Sequence, residues 1–155
     1  MIANPTPDLL KHLDWLREAR LHHRPNSDVW GFLFHRKTKI PLLEKALLGG
    51  TYHLQPTRGY EKEGEYLEYW RSEDALVLKW LTETLSPILK PHISKTCRHL
   101  KGGGSCQSIA NEVLEKLPEY SFFLRSDVKS YYASIDHPIL MQQLREYIDD
   151  PKLQA

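Results

Sequence analysis

One stretch concentrates the residue types that could do chemistry. Phe122-Phe123-Leu124-Arg125-Ser126-Asp127 is an apolar run closed by a carboxylate, and Val128-Lys129-Ser130-Tyr131-Tyr132 follows as a turn bearing two rings. A carboxylate closing a buried strand is costly unless something binds it. Mg²⁺ is a fitting partner, because hard cations take carboxylate oxygens and substrate phosphates. The same position also suits a turn former or a helix cap, so Asp127 taken alone leaves both open. Tyr131 and Tyr132 can equally be core packing. Asp136, just ahead of His137-Pro138-Ile139, reads as a helix cap and not as a metal ligand.

A second set of residues is basic. Lys90, Lys95, Arg98 and Lys101, with His92 and His99 among them, lie between Thr84 and Asn111 without a single acid. Such a stretch can dock a phosphate backbone even on a nearly neutral chain, although a solvated face accounts for it as well. Gly102-Gly103-Gly104 ahead of Ser105 could bring backbone N–H groups to a phosphate. It is not a Walker loop, since no Gly-Lys-Ser/Thr follows. His92, Cys97, His99 and Cys106 could be drawn as a zinc site, but no Cys-x-x-Cys pair supports it.

The elements that must position these residues follow from periodicity. Thr6 is placed to cap a first helix, with Pro7 and Asp8 in its first turn and Leu9, Leu13 and Leu16 on its apolar side, ending near Arg24-Pro25. A second helix is expected over Ile40 to Leu48, closed by Gly49-Gly50. Thr51 to Trp70 is rich in tyrosine, and Glu61-Lys62-Glu63-Gly64 is a turn inside it, so a β-hairpin with an acidic tip is predicted. Ser72-Glu73-Asp74 opens a helix carrying Leu76, Val77, Trp80, Leu81 and Leu85, which Pro87 and Pro91 end or kink. Ser105 caps the next helix, Tyr120 to Val128 reads as a buried strand, and a last helix carries Ile139, Leu140, Leu144 and Ile148. One central strand and a hairpin make a poor sheet. An isolated strand leaves backbone groups unpaired, which implies completion by further sequence or by a partner.

Composition bounds the rest. The chain has 155 residues, 41% hydrophobic and 26% charged, with 21 basic and 20 acidic side chains. These are ordinary globular proportions and exclude wholesale disorder, collagen and coiled coil. A chain of this length can bury a real core, about 68–70% of its unfolded surface. No apolar run approaches the ~18 residues of a membrane span, and the N-terminus has no secretory apolar segment. Two cysteines make no disulfide framework. A cytoplasmic protein is expected.

The string Asp127-Val128-Lys129-Ser130-Tyr131-Tyr132-Ala133-Ser134-Ile135-Asp136-His137 resembles the first catalytic block of prokaryotic reverse transcriptases, the group of intron- and retron-type RNA-directed DNA polymerases. Upstream order agrees with the family. Thr51-Tyr52 to Arg58 resembles the lead-in to the fingers hairpin, Ser72 to Leu89 the helix after it, and His99 to Ser105 the basic glycine block. The resemblance covers about residues 28 to 150. It implies an α+β fold: a helical segment over 1–50, a fingers-like subdomain over 51–118, and the incomplete start of a palm sheet over 119–155.

The resemblance also implies the chemistry. It is phosphoryl transfer, in which a primer 3′-hydroxyl attacks the α-phosphate of a deoxynucleoside triphosphate on an RNA template with two Mg²⁺ ions. Asp127 would be the catalytic carboxylate, with the Val128 carbonyl a further metal ligand. Lys129, Ser130, Tyr131 and Tyr132 would lie beneath the nucleotide, Tyr132 excluding a 2′-hydroxyl. Lys95, Arg98, Lys101, Gly102 and Gly103 would contact the template. Two departures are evident. Glu65 stands where relatives usually carry an arginine for the triphosphate, leaving Arg58, Lys62 or Arg71 to substitute. The Tyr-x-Asp-Asp hairpin with the other carboxylates has no counterpart. Tyr147-Ile148-Asp149-Asp150 has the letters, but it continues a helical period and Pro151 follows. The chain alone is therefore expected not to polymerise. The alternative is a non-catalytic module derived from the fingers that binds RNA, or a partner such as a separate palm and thumb.

Overall fold

The structure, a computed structural model, describes residues 6–94, 96–98 and 104–148. The architecture is α+β. A turn of 3₁₀-helix at Leu10–His12 leads into α1 (Leu13–Ala19), followed by α2 (Asp28–Phe34), α3 (Arg36–Leu48), β1 (Arg58–Lys62), β2 (Glu65–Tyr69), α4 (Ser72–Leu89), α5 (Cys106–Lys116) and α6 (His137–Arg145).

α1 to α4 share one core. Leu9 and Leu16, Val29 and Phe32, Ile40 and Leu43, and Leu76 and Trp80 meet there. In α2, α3 and α4 these residues stand three or four apart, so each of those helices buries one stripe, and α1 adds Leu16 with Leu13 packed beside the core. Fully burying side chains of this size stabilises by about 1.5–3 kcal/mol each.

The first helix starts later and ends earlier than its sequence suggests. Thr6 does not cap it: the Leu9 N–H donates instead to Glu44 Oε1 on α3 at 2.9 Å. The helix stops at Ala19 because Arg20 must turn inward to reach residues beyond the hairpin. α2 was not expected. Gly31 and two aromatics dilute its pattern, yet Val29 and Phe32 fall on one buried face. α3 begins four residues ahead of Ile40 and carries Pro41 inside it. It closes as expected at Gly49-Gly50: Thr51 N–H bonds the Ala46 carbonyl at 2.9 Å, Gly50 N–H the Leu47 carbonyl at 3.1 Å, and Gly50 has φ +65°. That is the left-handed glycine stop of a Schellman motif.

β1 and β2 pair antiparallel, with Arg58 opposite Tyr69 and Lys62 opposite Glu65. Glu63 and Gly64 form the turn at φ 56° and 82°. Two central residues with positive φ give the reverse turn whose twist matches a hairpin. Arg58, Tyr60, Leu67 and Tyr69 therefore share one face. On the other, the Tyr66 ring lies across Gly59 where any Cβ would have to sit.

α4 continues past Pro87 and stops before Pro91, in a 3₁₀ turn at Lys90–His92. α5 and α6 are capped as their sequences predict, Ser105 Oγ accepting from Ser108 N–H at 3.1 Å and Asp136 Oδ1 from Ile139 N–H at 3.0 Å. Neither helix buries a residue, however. The expected buried strand over Tyr120 to Val128 is not formed. The stretch is non-helical and unpaired, and Phe122, Phe123 and Leu124 are 85%, 81% and 88% exposed. The reason is physical: a strand is held by its neighbours' backbone groups, and the hairpin forms a sheet of its own two strands. The chain returns to the body at its far end, where the Tyr147 ring meets His92 at 4.4 Å and Ile148 is buried. No described helix is long and apolar enough to cross a membrane.

Candidate functional site

Three places hold the residues singled out by sequence. The first is the Asp127 turn. Asp127 is exposed, and among the described residues its Oδ1 accepts from the neighbouring Val128 N–H, at 3.0 Å. Ser130 takes a left-handed backbone, φ 54°, which reverses the chain so that Ser134 N–H bonds the Ser130 carbonyl at 3.0 Å. A non-glycine residue there is uncommon and is held by the turn around it. Tyr131 and Tyr132 meet edge to face at 5.3 Å and are 56% and 85% exposed, so neither packs a core. Lys129 is exposed beside them, as is Val128.

Among the described residues no group of three or more His, Cys, Asp or Glu comes together to hold a metal ion. Asp127 supplies one hard carboxylate. The described residues by themselves therefore do not fit a two-ion magnesium site. His99, from the drawn zinc set, lies outside the described residues, as do Asp149 and Asp150.

The second place is the basic stretch. Lys95, Lys101, Gly102 and Gly103 lie outside the described residues. Arg98 is described, and it is paired: its Nη2 donates to Glu112 Oε2 at 2.6 Å, while Lys116 holds the other oxygen at 2.9 Å. The acid-free run ends one residue before Glu112, and α5 brings that residue back onto Arg98. Hydrogen bonding from Lys116, followed by the Arg98 charge, holds the Glu112 carboxyl below its ordinary range. Exposed pairs of this kind contribute little, so a phosphate can displace this one.

The third place is the hairpin and its roots. Arg58 lies on β1 facing the N-terminal helices. Lys62 ends β1, its side chain outside the described set. Arg71, at the head of α4, is half-buried with its Nε unpartnered. Both roots of the hairpin are tied to the helical body. At the exit, the buried Arg20 donates to the Trp70 carbonyl and to Ser72 Oγ, and stands 3.5 Å from Asp28 Oδ1. Asp28 Oδ2 in turn accepts the Ser72 N–H at 2.8 Å, giving α4 a cap from another helix. Burial pulls the Arg20 guanidinium below its usual range, and Asp28 offsets part of that. Burial alone would raise the Asp28 carboxyl, but the Ser72 N–H, the Arg20 charge, the Ser72 hydroxyl and the Arg58 charge together outweigh it and hold it low. At the entry, the Tyr52 hydroxyl donates to Asp74 Oδ1 at 2.6 Å and Gln55 N–H reaches the same oxygen at 3.3 Å. Burial, then the Asp74 hydrogen bond and charge, push the Tyr52 hydroxyl strongly up.

Held this way, the hairpin face and the loop after α1 enclose a groove of about 720 Å³. Arg58 and Tyr60 line it from β1, Tyr69 from β2, and His22, His23 and Arg24 from the loop. The sequence reading reached Arg58 alone among these. The only signal for the others is the run His22-His23-Arg24 before Pro25, and nothing local says that it faces the hairpin.

No protein-family model matches the chain, and no solved structure does. Among curated proteins it is similar to a probable serine/threonine-protein kinase of Dictyostelium discoideum, 27% identical over 129 residues, which are 83% of this chain and 20% of that protein. The chain thus spans about a fifth of that relative's length. The strings that carry kinase chemistry, His-Arg-Asp and Asp-Phe-Gly, do not occur in the 155 residues.

Proposed function

We propose that the chain is the N-terminal part of an RNA-directed DNA polymerase, the fingers and the opening of the palm, and that it does not polymerise alone. The observation that carries this reading is the placement of the Asp127–His137 block. It follows directly on an apolar, non-helical segment in which Phe122, Phe123 and Leu124 are each more than four-fifths exposed, as in a strand without its sheet. The apolar sides of α5 and α6 are uncovered as well, with Val113, Leu114 and Ile139 more than half exposed. The hairpin ahead of α4 supports the same reading.

Within a completed palm, residues 120–128 become an inner strand, and Asp127 meets further carboxylates supplied by the added part. Only that assembly has the donors to hold Mg²⁺, which would supply charge neutralisation to the transferring phosphate. The chain's own contribution is the Asp127 oxygens, the backbone N–H groups of 129–132 towards the triphosphate, and the Tyr132 ring under the sugar. RNA template, primer and deoxynucleoside triphosphates are the substrates on this reading. The exposed apolar surface also favours the second reading, a non-catalytic module whose partner covers it.

Primer extension separates the two. The 155-residue chain alone is expected to incorporate no nucleotide. Joined to, or mixed with, a palm and thumb carrying Tyr-x-Asp-Asp, it is expected to extend a primer in Mg²⁺, and Asp127→Ala is expected to abolish that extension while leaving the assembly intact. Extension that survives Asp127→Ala refutes the site, and robust extension by the chain alone refutes its incompleteness.

A further inference from the structure

α3 turns one side to the core, where Ile40 and Leu43 are buried, and the opposite side to water. Lys37, Pro41, Lys45 and Leu48 recur at helical spacing on that outer side, and all are exposed. Leu42 lies beside Pro41 and is 62% exposed. Polar groups on the flanks of the helix are used within the molecule: Glu44 accepts the Leu9 N–H, and Lys39 pairs with Glu73. Lys37 and Lys45 differ, for neither makes a hydrogen bond or an ion pair with a described residue. The outer face is thus an apolar step, Pro41 and Leu42, with a free cation at each end. Rising 1.5 Å per residue, the helix sets those two cations about 12 Å apart.

The hairpin carries the complementary pattern. Cross-strand partners share a face, so Tyr66 projects on the side of Glu61 and Glu68, opposite to Arg58 and Tyr69. Its ring is 69% exposed. Glu63 in the turn and Glu68, paired with Gly59, lie on either side of it, about 13 Å apart at the rise of a strand. A ring between two acids therefore matches an apolar step between two bases, in order and in spacing. Glu61, Glu63 and Glu65 outnumber Lys62 at the tip, so a phosphate backbone is repelled there and a basic protein surface is favoured. Both halves of the match stand on this chain, and a net charge of +1 puts little repulsion between copies. We propose that the outer face of α3 docks the hairpin of a second copy of this chain, Lys37 and Lys45 pairing with Glu63 and Glu68 and Tyr66 lying on Pro41 and Leu42. The contact joins two different surfaces, so each copy keeps one of each to offer, and the assembly closes as a ring or grows as an open chain. It uses neither the Asp127 turn nor polymerisation.

Sedimentation velocity on the full chain over a range of concentrations tests it. Association is expected at about 0.1 M salt and is expected to fall at about 1 M, as the Debye length shortens from about 10 Å to about 3 Å. Glu63→Lys with Glu68→Lys, and separately Lys37→Glu with Lys45→Glu, are each expected to weaken self-association about tenfold, because like charges then meet. Mixed together, the two variants are expected to associate, since each offers the other a complementary face, and a chain carrying all four changes is expected to associate as wild type does. Recovery in the mixture also shows that both variants are folded. The milder pairs, Glu63→Gln with Glu68→Gln and Lys37→Gln with Lys45→Gln, are expected to weaken association several-fold, as is Tyr66→Ala. Each measurement is repeated with Phe122→Asp and Phe123→Asp in place, which separates this contact from association through the apolar stretch ahead of Asp127. Four results overturn the inference: a monomer at every concentration at the lower salt; association indifferent to the charge changes, neutral and reversed alike; association lost with Phe122→Asp and Phe123→Asp alone; or a labelled single-stranded RNA held by Lys37 and Lys45 on a chain that does not self-associate, which makes nucleic acid the occupant of α3.

Discussion

Asp28 carries the tie between the N-terminal helices, the hairpin and α4, and its removal has a calculable cost. Asp28→Ala deletes the acceptor for Ser72 N–H, a helix cap of about 1 kcal/mol. It also leaves Arg20, 8% exposed, with Ser72 Oγ and the Trp70 carbonyl but no counter-charge. Breaking a fully buried pair costs about 3–5 kcal/mol. Here the Asp28 side chain is 21% exposed and the contact is long at 3.5 Å, so a third to a half of that, about 1–2 kcal/mol, is the reasonable share. The total is about 2–3 kcal/mol, a sizeable part of the ~5–15 kcal/mol that holds a domain folded. Asp28→Asn keeps an oxygen for Ser72 N–H and is expected to lose only the charge part. Urea unfolding followed by tryptophan fluorescence is a suitable assay, because Trp80 sits in the core.

The pH dependence has a definite sign. The folded carboxyl of Asp28 lies below its ordinary value. Its contribution is therefore complete above the unfolded pKa of about 3.9 and is lost as pH falls through the lower folded value. The gap between wild type and Asp28→Asn is expected to be full at pH 7 and to close below about pH 4. An Asp28→Ala chain within ~0.5 kcal/mol of wild type, or a gap that persists unchanged in acid, refutes the claim that this carboxylate braces the hairpin.

Other perturbations have equally direct readouts. Gly59→Ala places a methyl where the tip of the Tyr66 ring lies; that ring is mostly exposed and can swing aside, so the change is expected to cost no more than about 0.5 kcal/mol, and a loss of several kcal/mol in urea unfolding would show that the ring is locked across the strand. Phe122→Asp with Phe123→Asp is expected to lower binding of a hydrophobic dye and aggregation while leaving the unfolding midpoint unchanged, because both rings face water, and to prevent assembly with a supplied palm. Asp127→Ala is expected to shift stability by less than about 0.5 kcal/mol, since among the described residues its exposed side chain bonds its own neighbour, so any loss of extension in the completed enzyme measures chemistry and not folding.

What the sequence determined by itself is what short-range physics controls. The Glu63-Gly64 turn sets the hairpin register, Ser105 and Asp136 set the starts of α5 and α6, Gly49-Gly50 stops α3, and the spacing of Leu76, Val77 and Trp80 chooses the buried face of α4. Each of these is decided within about one turn of chain. The tertiary structure decided the rest. It ended α1 at Ala19, because Arg20 has partners 50 and 52 residues away. It brought Glu112 onto Arg98, and it set the His22-His23-Arg24 loop against the hairpin. Tyr120 to Val128 shows the limit from the other side. Its composition is that of a strand, but a strand's hydrogen bonds belong to its neighbours, so an apolar run without a paired edge forms no strand and stays exposed.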